Sequence, residues 1–265
     1  MTEKELMLTA LLECGRADLY AGSKPLTQAN QKRLDEMSRR RQKGEPLQYI
    51  LESCEFFGIK LFVDQRVLIP RPETELLVEE VLKKANGLGE SLNILDLGTG
   101  SGNIAISLAK FLPHSQVTAL DISQEALKLA EDNAHFHSLH DRIKFIGQDM
   151  AVYLTQEEEP FDVIVSNPPY IARGELKNLP EDVQREPKIA LDGGKEGLDF
   201  YKVIIPKAVR LLKHNGFLLL EIGEDQRNEI ENIFNECDCY QNIEFLKDYC
   251  GRDRITAAQG NLWKN

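Results

Sequence analysis

No apolar run in the 265-residue chain comes near the roughly 20 residues that a membrane-spanning helix requires. The opening Met1-Thr2-Glu3-Lys4-Glu5 is acidic and has no signal-peptide core, which predicts a protein that is not exported. Cysteines are few, odd in number and scattered at positions 14, 54, 237, 239 and 250, a usage that favours a reducing cytoplasm over a disulfide framework. Internal repeats and low-complexity tracts are missing as well. Nor is there a basic excess: 32 Lys and Arg against 43 Asp and Glu leave a net charge of −11. Phosphate neutralisation dominates affinity for duplex nucleic acid, so this balance argues against a general DNA or RNA binder. It leaves room for a basic partner protein or a cationic small molecule. The one basic cluster, Arg39-Arg40-Arg41-Gln42-Lys43, reads as the solvated end of a helix, where positive charge suits the macrodipole.

What is present is ordinary soluble composition, long enough for one large domain or two modest ones. Residues 1 to about 43 read as helices, with Leu8, Leu11 and Leu12 on one stripe, Leu34 and Met37 on another, and a break at Gly22 to Pro25. Apolar stretches at 55–63 and 67–69 predict two short strands, plausibly a hairpin. Pro70-Arg71-Pro72-Glu73-Thr74-Glu75 then leads a helix with Leu77, Val78, Val81 and Leu82 on one face, stopped at Asn86-Gly87. A domain boundary is placed near residue 85, giving a helical unit plus hairpin over 1–85 and a second domain over 86–265.

From residue 92 strands and helices alternate, the pattern of a doubly wound α/β sheet. Strands are predicted at 92–97, 117–120, 143–146, 161–165 and 216–222, with 243–246 and 254–259 closing the sheet. Helical faces recur at Ile104 to Leu112, after a Ser123 cap, over 197–212, and through Ile230, Ile233, Phe234 and Cys237. The loop over 171–195 has the length usually associated with function.

Two strand ends carry the chemistry. Asp96-Leu97-Gly98-Thr99-Gly100-Ser101-Gly102 closes the first strand, and its glycines permit a tight turn with close backbone approach to a ligand. Asp121 ends the second strand, 19 residues after Gly102, where a carboxylate can accept from ribose hydroxyls. A dinucleotide site wants a third glycine at 103, which is Asn103. The observed spacing resembles the S-adenosylmethionine (SAM) loop of class I methyltransferases. SAM carries a sulfonium cation and no phosphate, so Asp96 would assist where it would repel a pyrophosphate.

At the fourth strand, Phe161 to Val165 stops at Ser166-Asn167-Pro168-Pro169-Tyr170. Proline fixes its own φ and pushes the preceding residue out of the α region, which makes a stiff peg at a strand end. Neither proline has an N–H, so the peg offers carbonyl oxygens and one Asn amide, an acceptor set suited to an –NH2 group. Asp162 and Asn167 to Tyr170 resemble the motif of methyltransferases acting on planar nitrogens. Such a nitrogen has a delocalised lone pair. If the Asn167 side-chain oxygen and the Pro168 carbonyl each accept one N–H, it is oriented and gains electron density, while Tyr170 supplies a flat wall.

Further stretches sharpen the resemblance. Gly44-Glu45-Pro46-Leu47-Gln48-Tyr49-Ile50, Leu68 to Glu75, Arg185-Glu186-Pro187 through Ala190-Leu191-Asp192-Gly193-Gly194, and Gly251-Arg252-Asp253-Arg254-Ile255 resemble the HemK/PrmC family. These are protein-(glutamine-N5) methyltransferases of peptide-chain release factors. The resemblance implies a class I SAM-dependent, Rossmann-like sheet with a small helical N-terminal substrate-recognition domain. It implies methyl transfer from SAM to the glutamine N5 of the Gly-Gly-Gln motif of class 1 release factors in the cytoplasm, with no stable nucleic-acid or membrane partner. By position, Asp96, Leu97, Gly98, Thr99, Gly100, Asp121, Asp149, Met150 and Asn167 are expected to hold SAM, with Asp149 and Met150 beside the adenine. Asn167, Pro168, Pro169 and Tyr170 are expected to hold the glutamine, Asn167 and Pro168 being catalytic. Met150 stands where some members carry Trp. Arg71 and Glu73 either wall the site or form structural ion pairs.

The rival readings are an amino methyltransferase of nucleic-acid adenine or guanine, one for another protein's glutamine, a non-catalytic binding protein on the same fold, and a dehydrogenase. His135, His137 and His140 sit where a helix should fray, and no metal site is expected there. Cys237 and Cys239 read as core filling, Gly193-Gly194-Lys195 lacks a phosphate loop's spacing, and Glu157 to Glu159 reads as a solvated loop.

Overall fold

The computed structural model describes residues 1–22, 24–156 and 159–261. Ser23 of the expected break, and Glu157 and Glu158 of the expected acidic loop, lie outside the described residues. Thr2 caps α1 (Glu3–Leu12) with a reciprocal bond to Glu5, and Thr27 caps α3 (Gln28–Gln42), with α2 (Arg16–Ala21) between them. Met7 and Leu12 of α1 and Leu34 of α3 are buried, which closes a small helical unit. The basic cluster does end α3, but Arg40 and Arg41 are paired: Arg40 with Glu45 at 2.6 Å, Arg41 with Glu3 at 2.9 Å and with Asp182 at 3.8 Å.

After α4 (Leu47–Leu51) comes the hairpin, with its turn inside the first predicted strand. β1 (Ser53–Phe56) and β2 (Ile59–Phe62) pair Phe56 with Ile59. Phe57 and Gly58 make the turn at φ 51° and 69°. Two positive φ values match the twist of antiparallel strands, so the apolar pattern runs on through a two-residue reversal. Val67 to Ile69 is not a strand; it follows a turn closed by Val67 N–H on the Asp64 carbonyl, and Val67 and Ile69 pack with Tyr49, Val63, Ala126 and Leu129. α5 (Pro72–Ala85) opens on proline with Glu73 and Glu75 in its first turn, and closes on Lys83 and Lys84, as the dipole favours.

The alternating elements are β3 (Asn93–Leu97), α6 (Asn103–Phe111), β4 (Gln116–Asp121), α7 (Gln124–Phe136), β5 (Ile143–Gly147), α8 (Met150–Tyr153) and β6 (Phe161–Ser166). They continue with α9 (Asp199–Ala208), β7 (Leu212–Glu221), α10 (Arg227–Cys237), β8 (Tyr240–Lys247) and β9 (Asp253–Gly260). Among the described residues seven strands form one sheet in the order β5-β4-β3-β6-β7-β9-β8, parallel except for β9. The helix expected over 197–212 is shorter, because Leu212 already pairs with Phe161 and begins β7.

Successive side chains alternate across the sheet. Ile94, Val163 and Val165 pack with α5 and α6, whereas Leu95, Leu97 and Ile164 pack with α9 and α10. Burying each such side chain contributes about 1.5–3 kcal/mol. Both faces are covered, so ligand access is left to the strand ends. Strand order reverses at β3, whose neighbours are β4 and β6, and the crevice beyond the carboxyl ends of β3 and β6 is where this architecture places ligands.

Candidate active site

A cavity opens at that crevice. Gly98, Gly100, Asp121, Asp149, Met150 and Asn167 all line it, as does Pro169. A second cavity adjoins it, lined by Leu68, Arg71, Pro168 and Tyr170 and again by Asn167. Asn167 is thus common to both, which is the geometry needed where two reactants must meet. Leu97 and Thr99 line neither. The Leu97 side chain belongs to the core under α9, and Thr99 is buried with its hydroxyl donating to Asp96 Oδ2 at 2.6 Å.

The glycine turn is held from below and from the side. Gly98 and Thr99 donate their N–H groups to the Leu120 carbonyl, and Gly100 donates to Asp121 Oδ2 at 2.9 Å. Asp121 Oδ1 accepts Ser123 N–H at 2.9 Å, so this carboxylate braces the turn as well as facing the cavity. Burial outweighs those bonds and raises its pKa. Gly102 begins α6 at φ 82°, and a Cβ there would come within 2.9 Å of Ile106 Cδ1 and 3.2 Å of Ala130 Cβ. Close helix packing, together with positive φ, is what demands glycine there. Asp149 caps α8 through Oδ1, which accepts Ala151 N–H at 2.6 Å, and Met150 lies over Gly98.

Asp96 is fully buried beneath the turn, and its pKa is pushed up to about 7, chiefly by burial. Among the described residues its Oδ1 has no hydrogen-bond partner of good geometry, although the Ala105 N–H lies near enough to oppose the rise weakly. A buried, half-satisfied carboxylate is costly unless a positive charge comes near. Asp96, Asp121 and Asp149 together surround the turn with negative charge. Among the described residues, the one basic residue in the cavity wall, Arg66, is already bound to Asp64 at 2.7 Å. This donor set fits a cationic sulfonium nucleoside and opposes a pyrophosphate.

The peg is anchored from three directions. Asn167 Nδ2 donates to Thr74 Oγ1 at 3.0 Å, and the Thr74 hydroxyl donates to Glu221 Oε2 at 2.6 Å. Glu221 Oε1 accepts the Tyr170 hydroxyl at 3.3 Å, which fixes the ring, and burial pushes the pKa of that hydroxyl well above its ordinary value. The Tyr170 carbonyl accepts Gln226 Nε2 at 2.9 Å. Asp162, grouped with the peg in the motif, stands at the opposite end of β6. There it accepts Asn93 N–H at 2.8 Å and the Lys213 ammonium at 2.7 Å.

The loop over 171–195 is organised by three 3₁₀ turns and closed on itself, with Ile171 bridging Asp192. A Cβ on Gly193 would lie 2.8 Å from the Pro169 carbonyl oxygen and from Tyr170 Cα, so the loop can pack on the peg only with glycine there. Pro187, Ile189 and Ala190 then wall the cavity opposite the glycine turn. Glu186 receives Ile69 N–H at 3.0 Å and Arg71 at 2.6 Å, tying this loop to the 67–71 segment. Arg71 therefore has a structural ion pair and also lines the second cavity. Tyr49 donates to the Val67 carbonyl at 2.6 Å, which explains the hallmark stretch around it: it seats Val67 and Leu68 in the wall.

Sequence reasoning missed Thr74 and Glu221 as partners of the peg, and Ile122, Gln148 and Phe200 in the cavity wall. Ile122 is a large apolar side chain left half exposed directly after Asp121, a signal that could have been read. Glu221 had none, since its role depends on a strand pairing far along the chain. Elsewhere, His137 contacts the Lys60 carbonyl, His135 stacks on His140, and Cys237 packs with the α9–α10 core.

Residues 72–185 match the family described as methyltransferase small domain, and residues 2–51 match the PrmC N-terminal domain. A release factor glutamine methyltransferase from Moorella thermoacetica is 44% identical over 219 residues, 83% of this chain and 76% of its own length. One from Clostridium acetobutylicum is 38% identical over 265 residues, covering 99% of this chain and 92% of its own. Among solved structures, a methyltransferase from Pyrococcus furiosus has a TM-score of 0.55 at 19% identity, over 77% of this chain and 89% of that one, a likeness of fold.

Proposed function

The chain belongs to the family of release factor glutamine methyltransferases, and on that premise we propose how its residues divide the work of methylating a glutamine side-chain nitrogen. The substrate is the glutamine of the Gly-Gly-Gln motif of class 1 peptide-chain release factors, and the methyl donor is SAM. The observation that carries the reading is Asn167, shared by two adjoining cavities and bonded through its N–H side to Thr74. Its oxygen is left as an acceptor.

SAM supplies an electrophilic methyl group on a sulfonium and leaves as a neutral thioether. Gly98, Gly100, Asp121, Asp149 and Met150 hold the nucleoside, and Asp96 neutralises positive charge from beneath the turn. Asn167 Oδ1 and the Pro168 carbonyl each accept one N–H of the glutamine amide. That fixes the nitrogen's plane and directs its lone pair at the methyl carbon. Transfer to that nitrogen would form an N–C bond as the C–S bond breaks with sulfur keeping the electron pair, and the nitrogen would shed one N–H proton to water. Orientation and electrostatics supply the acceleration, with no strong base needed. Tyr170 walls the amide. The residues before 85 form the side that recognises the rest of the release factor.

The test uses labelled SAM with a release factor, a copy whose Gly-Gly-Gln glutamine is replaced by Ala, and nucleic acid in parallel. Label confined to the intact factor is expected. Label on nucleic acid, or equal label on both factors, would sink the reading.

A further inference from the structure

Behind the peg two polar side chains, Thr74 and Glu221, form a line of hydrogen bonds and wall neither cavity. Glu221 ends β7 and is fully buried, with Tyr170 and Thr74 hydroxyls on its two oxygens. Thr74, in the first turn of α5 and 1% exposed, passes that line on to Asn167.

The direction of the line follows from which groups can donate. An ionised carboxylate only accepts, and a threonine hydroxyl has one proton. Glu221 takes that proton, so Thr74 presents only lone pairs to Asn167. A lone pair can be met by Nδ2 and not by Oδ1. The planar amide is thereby held with its oxygen turned away from Thr74. Resting on the glutamine-methylating reading above, we propose that Thr74 and Glu221 are positioning residues of the methyl transfer, locking the Asn167 amide in the one orientation whose oxygen can accept the substrate's N–H.

The lock has a direction in pH. Glu221 is faced by Thr74 and Glu73 of α5, by Tyr170 of the peg and by Arg254 of β9, while Tyr201 of α9 donates to its backbone carbonyl. Burial pushes its pKa up to about 7 against the opposing pull of the Thr74 bond and Arg254. Above that value the carboxylate accepts and the order holds. Below it, a protonated Glu221 can donate to Thr74, and Thr74 can then donate to Asn167 Oδ1. The flipped amide would present N–H to N–H.

The test compares full-length variants on a release factor at saturating SAM. Thr74→Val keeps the shape and removes the hydroxyl, and is expected to lower kcat roughly ten- to a hundredfold with SAM affinity by calorimetry held within about twofold. Thr74→Ser restores the hydroxyl and is expected to recover most of that loss. Wild-type kcat should fall as pH drops through about 7, and this limb should vanish in Glu221→Gln. A Thr74→Val enzyme as fast as wild type overturns the proposal. So does a folded Thr74→Ser enzyme as slow as Thr74→Val, or a limb that persists in Glu221→Gln. Wild type that leaves the release factor unlabelled would instead overturn the functional reading, and that outcome is distinct.

Discussion

Single side chains at two points decide the chemistry, and each makes a measurable claim. On the proposed reading Asn167 orients the accepting nitrogen, but it is one of many groups around the cavity assigned to the nucleoside. Asn167→Ala should therefore lower kcat by about a hundredfold or more, as loss of an oriented acceptor does, while SAM affinity by calorimetry stays near wild type. A comparable loss of SAM affinity would show that the residue holds the cofactor instead. Asp96 makes the second claim. Its raised pKa of about 7 means that ligand-free protein holds it largely protonated below neutrality. A sulfonium favours the ionised form, so SAM should bind more tightly as pH rises through about 7, and Asp96→Asn should flatten that dependence. The stability sign runs the other way. Between the ordinary carboxylate range and about 7 the folded, ligand-free state binds the extra proton, so Asp96 makes it less stable as pH rises across that window. Melting curves of wild type and Asp96→Asn without SAM should diverge toward higher pH, with wild type the lower.

At the scale of elements, the two wall segments depend on each other through Glu186. Its carboxylate is nearly unexposed and meets Ile69 N–H on one segment and Arg71 on the same stretch, while its own backbone belongs to the loop over 171–195. Glu186→Ala leaves a buried N–H and a guanidinium without their acceptor, a local cost of about 2–4 kcal/mol. Faster hydrogen exchange over 67–71 and 183–191 is expected, with weaker SAM binding because Pro187, Ile189 and Ala190 lose their seat. Unchanged exchange would mean that the loop is held by its other contacts, among them the Ile171–Asp192 bridge and the packing of Gly193 on the peg. These elements also show what was legible beforehand. Strands over β3 to β7 could be read because buried parallel strands leave apolar runs between glycines and helical stripes. The peg and the glycine turn could be read because proline and glycine constrain backbone directly. The hairpin could be read, but the place of its turn could not, since Phe57-Gly58 interrupts no apolar pattern. Thr74 and Glu221 could not either: Thr74 meets Asn167 across 93 positions of chain and meets Glu221 across 147, which requires the finished sheet.

Across the whole molecule, the helical N-terminal unit and the catalytic sheet meet at the same loop that walls the site. Arg41 of α3 bonds Glu3 of α1 at 2.9 Å and the Glu45 carbonyl at 3.1 Å, and stands 3.8 Å from Asp182. Arg185 returns the contact to the Lys43 carbonyl. These pairs are partly exposed, so each contributes only about 1 kcal/mol or less to stability. Their value is geometric, because the unit expected to recognise the release factor is aimed by contacts to residues 181–185, next to the cavity wall at Pro187. Arg41→Ala should thus leave melting and the KM for SAM nearly unchanged, yet raise the KM for the release factor several-fold, since misaiming two surfaces costs binding without touching the reacting atoms. On the proposed reading a short peptide bearing Gly-Gly-Gln would reach only the second cavity, so the same variant should methylate it at the wild-type rate. An equal defect on peptide and whole factor would move the role of Arg41 from docking to the site itself.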